Sequence, residues 1–224
     1  MKKKVRKMIV FACMSIIMVN TFCLKASAAE IEVDYEKSAN YLDGLKEYIS
    51  WNNDGVTLSF DDKSAKEAGY SEGAINYVKT NIDNLNLLVQ EGYTISEDYT
   101  VTVQMVTKNA NKMLRASSNV RGVSKVTYGW NVTNIYLNSV DTFVFMMNFY
   151  KIVQGEKAIL TLCDGVSSFI GCPNLINVCI FLVGMAIDSN YKMACNAASA
   201  GNGIIIQQVY YEQNNTTMQF YYPQ

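Results

Sequence analysis

The residue that most constrains the chemistry of this chain is one it lacks: its 224 residues include no histidine. Without imidazole there is no Ser-His-Asp triad, no Cys-His pair and no helical zinc-protease motif. Acid–base work would then fall to paired carboxylates. In the C-terminal half these are Asp141, Glu156, Asp164, Asp188 and Glu212. The surrounding pattern puts each at a helix end or turn, where capping is the ordinary role, so no catalytic residue is assigned. The sequence has no G-x-S-x-G, no phosphate-binding glycine loop and no calcium loop, and "GNG" at 201–203 reads as a helix stop. Neither an enzyme nor a cofactor is expected.

Cysteine is the other reactive type. Cys163, Cys172, Cys179 and Cys195 fall within 33 residues. In an exported chain, four such cysteines predict two disulfides with three pairings open, each worth ~2–4 kcal/mol. Free buried thiols are the alternative. No close C-x-x-C pair supports a tetrathiolate zinc site, and no metal is expected.

Export is read from "MKKKVRKMIVFACMSIIMVNTFCLKASAAE". Lys2, Lys3, Lys4, Arg6 and Lys7 precede an apolar run from Met8 to Leu24, and Ala26-Ser27-Ala28 follows. This is the three-part secretory signal, with cleavage expected between Ala28 and Ala29. A retained N-terminal anchor is the alternative. Phe22, bulky before Cys23, argues against lipoprotein processing. The remaining 196 residues carry 13 basic and 20 acidic side chains. A net charge of −7 disfavours nucleic acid as a partner.

That charge is unevenly placed. Residues 30–98 carry 15 acidic and 5 basic side chains, whereas 99–125 carry Lys108, Lys112, Arg115, Arg121 and Lys125 with no acid. The switch divides the chain into a signal peptide (1–28), an acidic, mainly helical region that could serve as a pro-region (29–107), a basic linker (108–125) and a low-charge part (126–224). Lys112, Arg115 and Arg121 are the candidate processing residues, because exposed polar linkers are where proteases cut. A plain solvated loop is the competing reading.

Periodicity supplies the elements. Tyr35, Ala39, Leu42, Leu45 and Ile49 predict a helix over 33–53, ended by Asn-Asn-Asp-Gly, and "VTLSF" predicts a short strand. Asp61 and Asp62 could cap a turn of helix through Ala68. Ser71 is placed to cap a longer helix whose stripe is Ile75, Val78, Ile82, Leu85 and Val89, stopped by Gly92. Alternation predicts a strand over 99–109 and a hairpin over 126–137 with Gly129 or Asn131 near its turn. A helix capped at Asp141 follows.

Between Asp164 and Asp188 lie 23 uncharged residues, long enough for a bilayer. Gly171-Cys172-Pro173 interrupts them, so a helical hairpin, core-buried or able to insert, is expected, its second helix over 174–200. Gly201 and Gly203 end it, and Ile204–Tyr211 and Met218–Tyr222 form a closing strand pair. The fold class expected is α+β: a helical N-terminal region, then a small antiparallel sheet packed on a helical hairpin. Tyr128, Trp130, Tyr136, Tyr210, Tyr211, Phe220, Tyr221 and Tyr222 are read as sheet packing, with an exposed sugar- or envelope-binding surface as the alternative.

The pieces "YGWNVTNIYL" (128–137), "GNGIII" (201–206) and the final Gln224 resemble a loose group of small exported, bacteriocin-like proteins of Gram-positive bacteria. The likeness covers roughly 124–224. The chain lacks that group's glycine after Trp130, and its helical segment carries cysteines. The resemblance implies a secreted antimicrobial or toxin-like precursor, with a target-cell membrane or envelope component as partner. An uncleaved secreted or surface-associated interaction module is the alternative.

Overall fold

A computed structural model describes residues 41–104, 120–154, 187–212 and 216–224. The fold is α+β. A 3-10 turn (Gly44–Tyr48) leads into β1 (Ile49–Trp51), which pairs antiparallel with β2 (Leu58–Phe60). This corrects the helix expected through residue 53. Ile49 faces Phe60 and Trp51 faces Leu58 across the strands, a β-branched and aromatic pairing that suits a sheet better than a helix. Asn-Asn-Asp-Gly is the hairpin turn rather than a helix end. Asp54 Oδ1 accepts from the Val56 and Thr57 amides, both at 2.9 Å.

Two helices follow. In α1 (Asp62–Glu67) the N-cap Asp61 accepts from Ser64 N at 3.0 Å. In α2 (Glu72–Gln90) Ser71 Oγ accepts from Ala74 N at 3.2 Å, the predicted cap. Ile75, Val78, Ile82 and Leu85 are buried as the stripe requires, and Leu88 rather than Val89 continues it. Full burial of such side chains is worth roughly 1.5–3 kcal/mol each. Asn86 clips α2 to the hairpin: its Oδ1 accepts from Leu58 N and its Nδ2 donates to Leu58 O, both at 2.8 Å.

The main sheet has five antiparallel strands: β3 (Thr100–Gln104), β4 (Lys125–Gly129), β5 (Val132–Asn138), β6 (Gly203–Tyr211) and β7 (Thr216–Pro223), in that spatial order. The two hairpins expected from sequence are joined by pairing of β5 with β6, Ile135 opposite Ile206 and Leu137 opposite Ile204. One face carries Val101, Val103, Val126, Tyr128, Ile135, Leu137, Ile204, Ile206 and Tyr210, all buried. Ile204 and Ile206 are core residues while Ile205 between them is only half-buried, so β6 is two-faced from its start, as alternation demands.

Beyond β5 comes α3 (Ser139–Val153), and α4 (Ile187–Ala198) precedes β6. Both pack on β6, and they meet at Phe149 and Tyr191, ring centroids 5.4 Å apart and nearly perpendicular. The cap of α3 is Asn138, whose Oδ1 accepts from Val140 N at 3.0 Å and Asp141 N at 2.9 Å. This corrects the assignment to Asp141, which lies one turn further in and is buried. At the other end, Gly201 N donates to Ala198 O at 3.0 Å to close α4. Gly203 adopts φ +113°, and a Cβ there would collide with Leu137 O, so close approach of β5 and β6 requires glycine.

Candidate functional site

The sequence divides at the basic linker, but β3 stands beside β4, so the sheet incorporates residues from before and after it. Val101 faces Tyr128 and Val103 faces Val126, all four buried. Helix α2, from the acidic part, packs on β3 and β4. This seam, where the acidic and low-charge parts meet, is the candidate site.

Besides the β3–β4 ladder and the Thr102–Thr127 hydroxyl pair at 3.3 Å, polar contacts across the seam come from α2 and its cap. The Tyr77 hydroxyl lies 3.1 Å from Gln208 O and 3.3 Å from Asn131 O. Asn81 Nδ2 donates to Trp130 O at 3.1 Å. Ser71 Oγ, besides capping its own helix, is 2.8 Å from the Tyr210 hydroxyl. Around these bonds the rings of Tyr41, Tyr77 and Tyr210 gather, Tyr210 lying 6.4 Å from Tyr41 and 5.9 Å from Tyr77. Burial pushes the Tyr77 phenol well above its ordinary pKa, against a smaller opposing effect of its hydrogen bond with Asn81. It is thus a neutral donor at any physiological pH. Desolvation acts the same way on Tyr221.

Of the carboxylates considered for chemistry, the described residues include Asp141, Asp188 and Glu212, which sit on separate elements. Asp141 is buried, its Oδ2 accepting from Ser124 Oγ, and Ser124 Oγ in turn accepts from Asn138 N at 3.0 Å. That arrangement ties the end of the linker to the β5–α3 corner. Glu212 is exposed at the end of β6 and Asp188 lies on α4, while Glu156 and Asp164 fall outside the described residues. Among the described residues no group of three or more acidic, cysteine or histidine side chains could hold a metal ion.

Cys195 is buried on α4 and has no disulfide partner among the described residues; Cys163, Cys172 and Cys179 lie outside them, as do Ala28, Ala29, Lys112 and Arg115 and nearly all of the 165–187 stretch. Among the described residues no helix is long and apolar enough to cross a membrane. Arg121 is described, and its main chain is bonded on both sides: N donates to Ser139 Oγ at 3.1 Å and O accepts from Ser139 N at 2.9 Å.

The aromatic residues of the C-terminal half are largely interior. Tyr128, Trp130, Tyr210, Tyr211, Phe220 and Tyr221 are all buried, so these six are core and offer no ring platform. Among the described residues the large exposed apolar side chains sit elsewhere: Trp51, Val56, Leu87 and Tyr93 on the acidic part, Val120 and Val123 within the linker. The six buried rings agree with the sheet packing expected of them; what sequence reasoning missed is the exposed set on the acidic part. Its one available signal was the turn chemistry around Trp51, which places that ring at a hairpin tip. Trp51 packs edge-on against Tyr99 at 5.7 Å, and Lys46 Nζ lies 5.6 Å from the Tyr99 ring centroid.

Fold and seam together define an α+β module in which an acidic helical layer is built into a low-charge sheet. Compared with protein-family models, curated proteins and solved structures, the chain matches none.

Proposed function

We propose that the chain is an exported or surface-associated, non-enzymatic interaction module that works as one folded unit at a target-cell envelope component. The observation that carries this reading is the seam. Separating the acidic part from the sheet would bare Val101, Val103, Val126 and Tyr128 along with the stripe of α2. It would also leave Gln208 O, Asn131 O and Trp130 O without the donors that now serve them. The signal pattern at 1–28 supports export, and the net acidic charge supports a protein or glycan partner over nucleic acid. The exposed Trp51 and Tyr93 support a contact made through rings on the acidic part. The test is the intact mass of the protein recovered from the medium or surface of a Gram-positive host that exports it. A mass corresponding to 29–224, with the same species co-sedimenting with isolated envelopes, is expected; a fragment starting between Lys108 and Lys125 would overturn the uncut unit.

A second reading, the antimicrobial or toxin-like precursor, is favoured by the coincidence of the charge switch with what α2 and β3 cover. The acidic part lies on the apolar face of the low-charge part, as a chaperoning pro-region would. After a cut in the linker it would stay bound until displaced. Growth inhibition or vesicle leakage by purified 116–224 supports this reading, and inactivity of that fragment removes it.

A further inference from the structure

Gln224 uses its main chain on one segment and its side chain on two others. Its N donates to Gly203 O at 3.0 Å. The side-chain Oε1 accepts from Val123 N, while Nε2 donates to Val123 O at 2.9 Å and Leu137 O at 3.2 Å. One amide thus answers both main-chain groups of residue 123, as a neighbouring strand would. Immediately before it, Gly122 adopts φ +76°, and a Cβ there would collide with Asn202 O and Gln224 Oε1. Together with the two bonds from Arg121 to Ser139, the whole stretch 121–123 is held by its backbone while its side chains are exposed.

We propose that Arg121–Gly122 is a guarded proteolytic site, displayed by its arginine but withheld by Gln224. A trypsin-like enzyme selects the arginine in its specificity pocket and needs the chain extended through the bond it cuts. Gly122 is left-handed and Arg121 is hydrogen-bonded, so 120–124 must first come away from the fold. The Gln224 amide contributes two of the bonds that oppose this, both to Val123, while its bond to Leu137 O anchors the amide to β5. Once open, the bond is hydrolysed by one water, leaving a carboxylate on Arg121 and an amine on Gly122. The inference stands whether the chain works intact or after a cut elsewhere in the linker, because it concerns only whether this bond can be reached.

The experiment is brief trypsin digestion of the full folded chain, with mass spectrometry counting fragments that begin at Gly122. Gln224→Ala should raise the initial rate of that cut about tenfold, as expected for losing hydrogen bonds of ordinary net strength. Tyr77→Phe, which weakens the fold without touching the clamp, serves as the control and should leave the rate of this cut within about twofold of wild type. Equal acceleration in both variants, or none in Gln224→Ala, overturns the proposal. If Gln224→Ala does not fold, hydrogen exchange of the Val123 amide in the wild type decides. Slow exchange matching β5 supports the clamp, and exchange at the rate of an open loop contradicts it.

Discussion

Replacing Tyr77 with Phe removes one hydroxyl from the seam and nothing else. The ring stays, so its packing 5.9 Å from Tyr210 is kept. What is lost is a donor lying between Gln208 O at 3.1 Å and Asn131 O at 3.3 Å. One proton serves these two acceptors, so the cost is that of one net hydrogen bond plus partial orphaning of a carbonyl, about 1–2 kcal/mol. With a urea m-value of roughly 2 kcal/mol/M for a chain of this size, the midpoint should fall by about 0.5–1 M. The two tryptophans show where the loss is felt. Trp51 belongs to the acidic part and Trp130, buried, to the low-charge part. In a Trp51→Phe background, Trp130 fluorescence reports the sheet alone. Adding Tyr77→Phe should then move the Trp130 transition by the full amount. If the Trp130 midpoint stays put while the acidic part melts earlier, α2 is not energetically joined to the sheet and the reasoning fails.

Three further outcomes follow from the same structure. Thr142 Oγ1 donates to Leu137 O at 2.9 Å and accepts from Ile204 N at 3.1 Å in the interior, so isosteric Thr142→Val should cost about 1–3 kcal/mol in urea unfolding. Ile206→Ala, at a buried position on an interior strand, should cost about 2–5 kcal/mol. Stability should fall at alkaline pH: the folded phenols of Tyr77 and Tyr221 sit above the unfolded value, so their contribution is intact below a pH of about 10 and is lost as pH rises through the folded values, by roughly 1.4 kcal/mol per pH unit for each group. Tyr77→Phe should flatten this slope in pH-dependent urea titrations.

Local elements were legible because local chemistry specifies them. The stripe of α2, its Ser71 cap, the β4–β5 turn beside Gly129 and the closing pair β6–β7 all arise from residues near one another in sequence. The joining of the 126–137 hairpin to the closing strand pair was also expected, and it is seen as β5 beside β6. What escaped was the place of β3: nothing in "TVTVQ" announces that it will stand beside β4. The helix expected through residue 53 failed because Ile49 satisfies a three-four spacing and a strand pairing equally well, and contact with Leu58–Phe60 decides. Asn138 and Asp141 are both plausible caps, and Asn138 holds the position while Asp141 turns inward to Ser124. The seam was illegible for a further reason: a tyrosine donating to a distant main-chain carbonyl leaves no pattern in sequence. The final glutamine was noticed as a point of resemblance, but its role as a clamp depends on three segments that only the fold brings together.

The central claim is that the chain before the linker and the chain after it form one core. A rare-cutting protease site placed within 108–119 tests it most directly, because the cut removes the covalent link while leaving the seam whole. After complete cleavage, size-exclusion chromatography under native conditions should show both pieces eluting together at the position of the uncut protein, with Trp130 fluorescence unchanged. Two separate peaks, with the piece containing residues 120–224 folded on its own, would contradict the account.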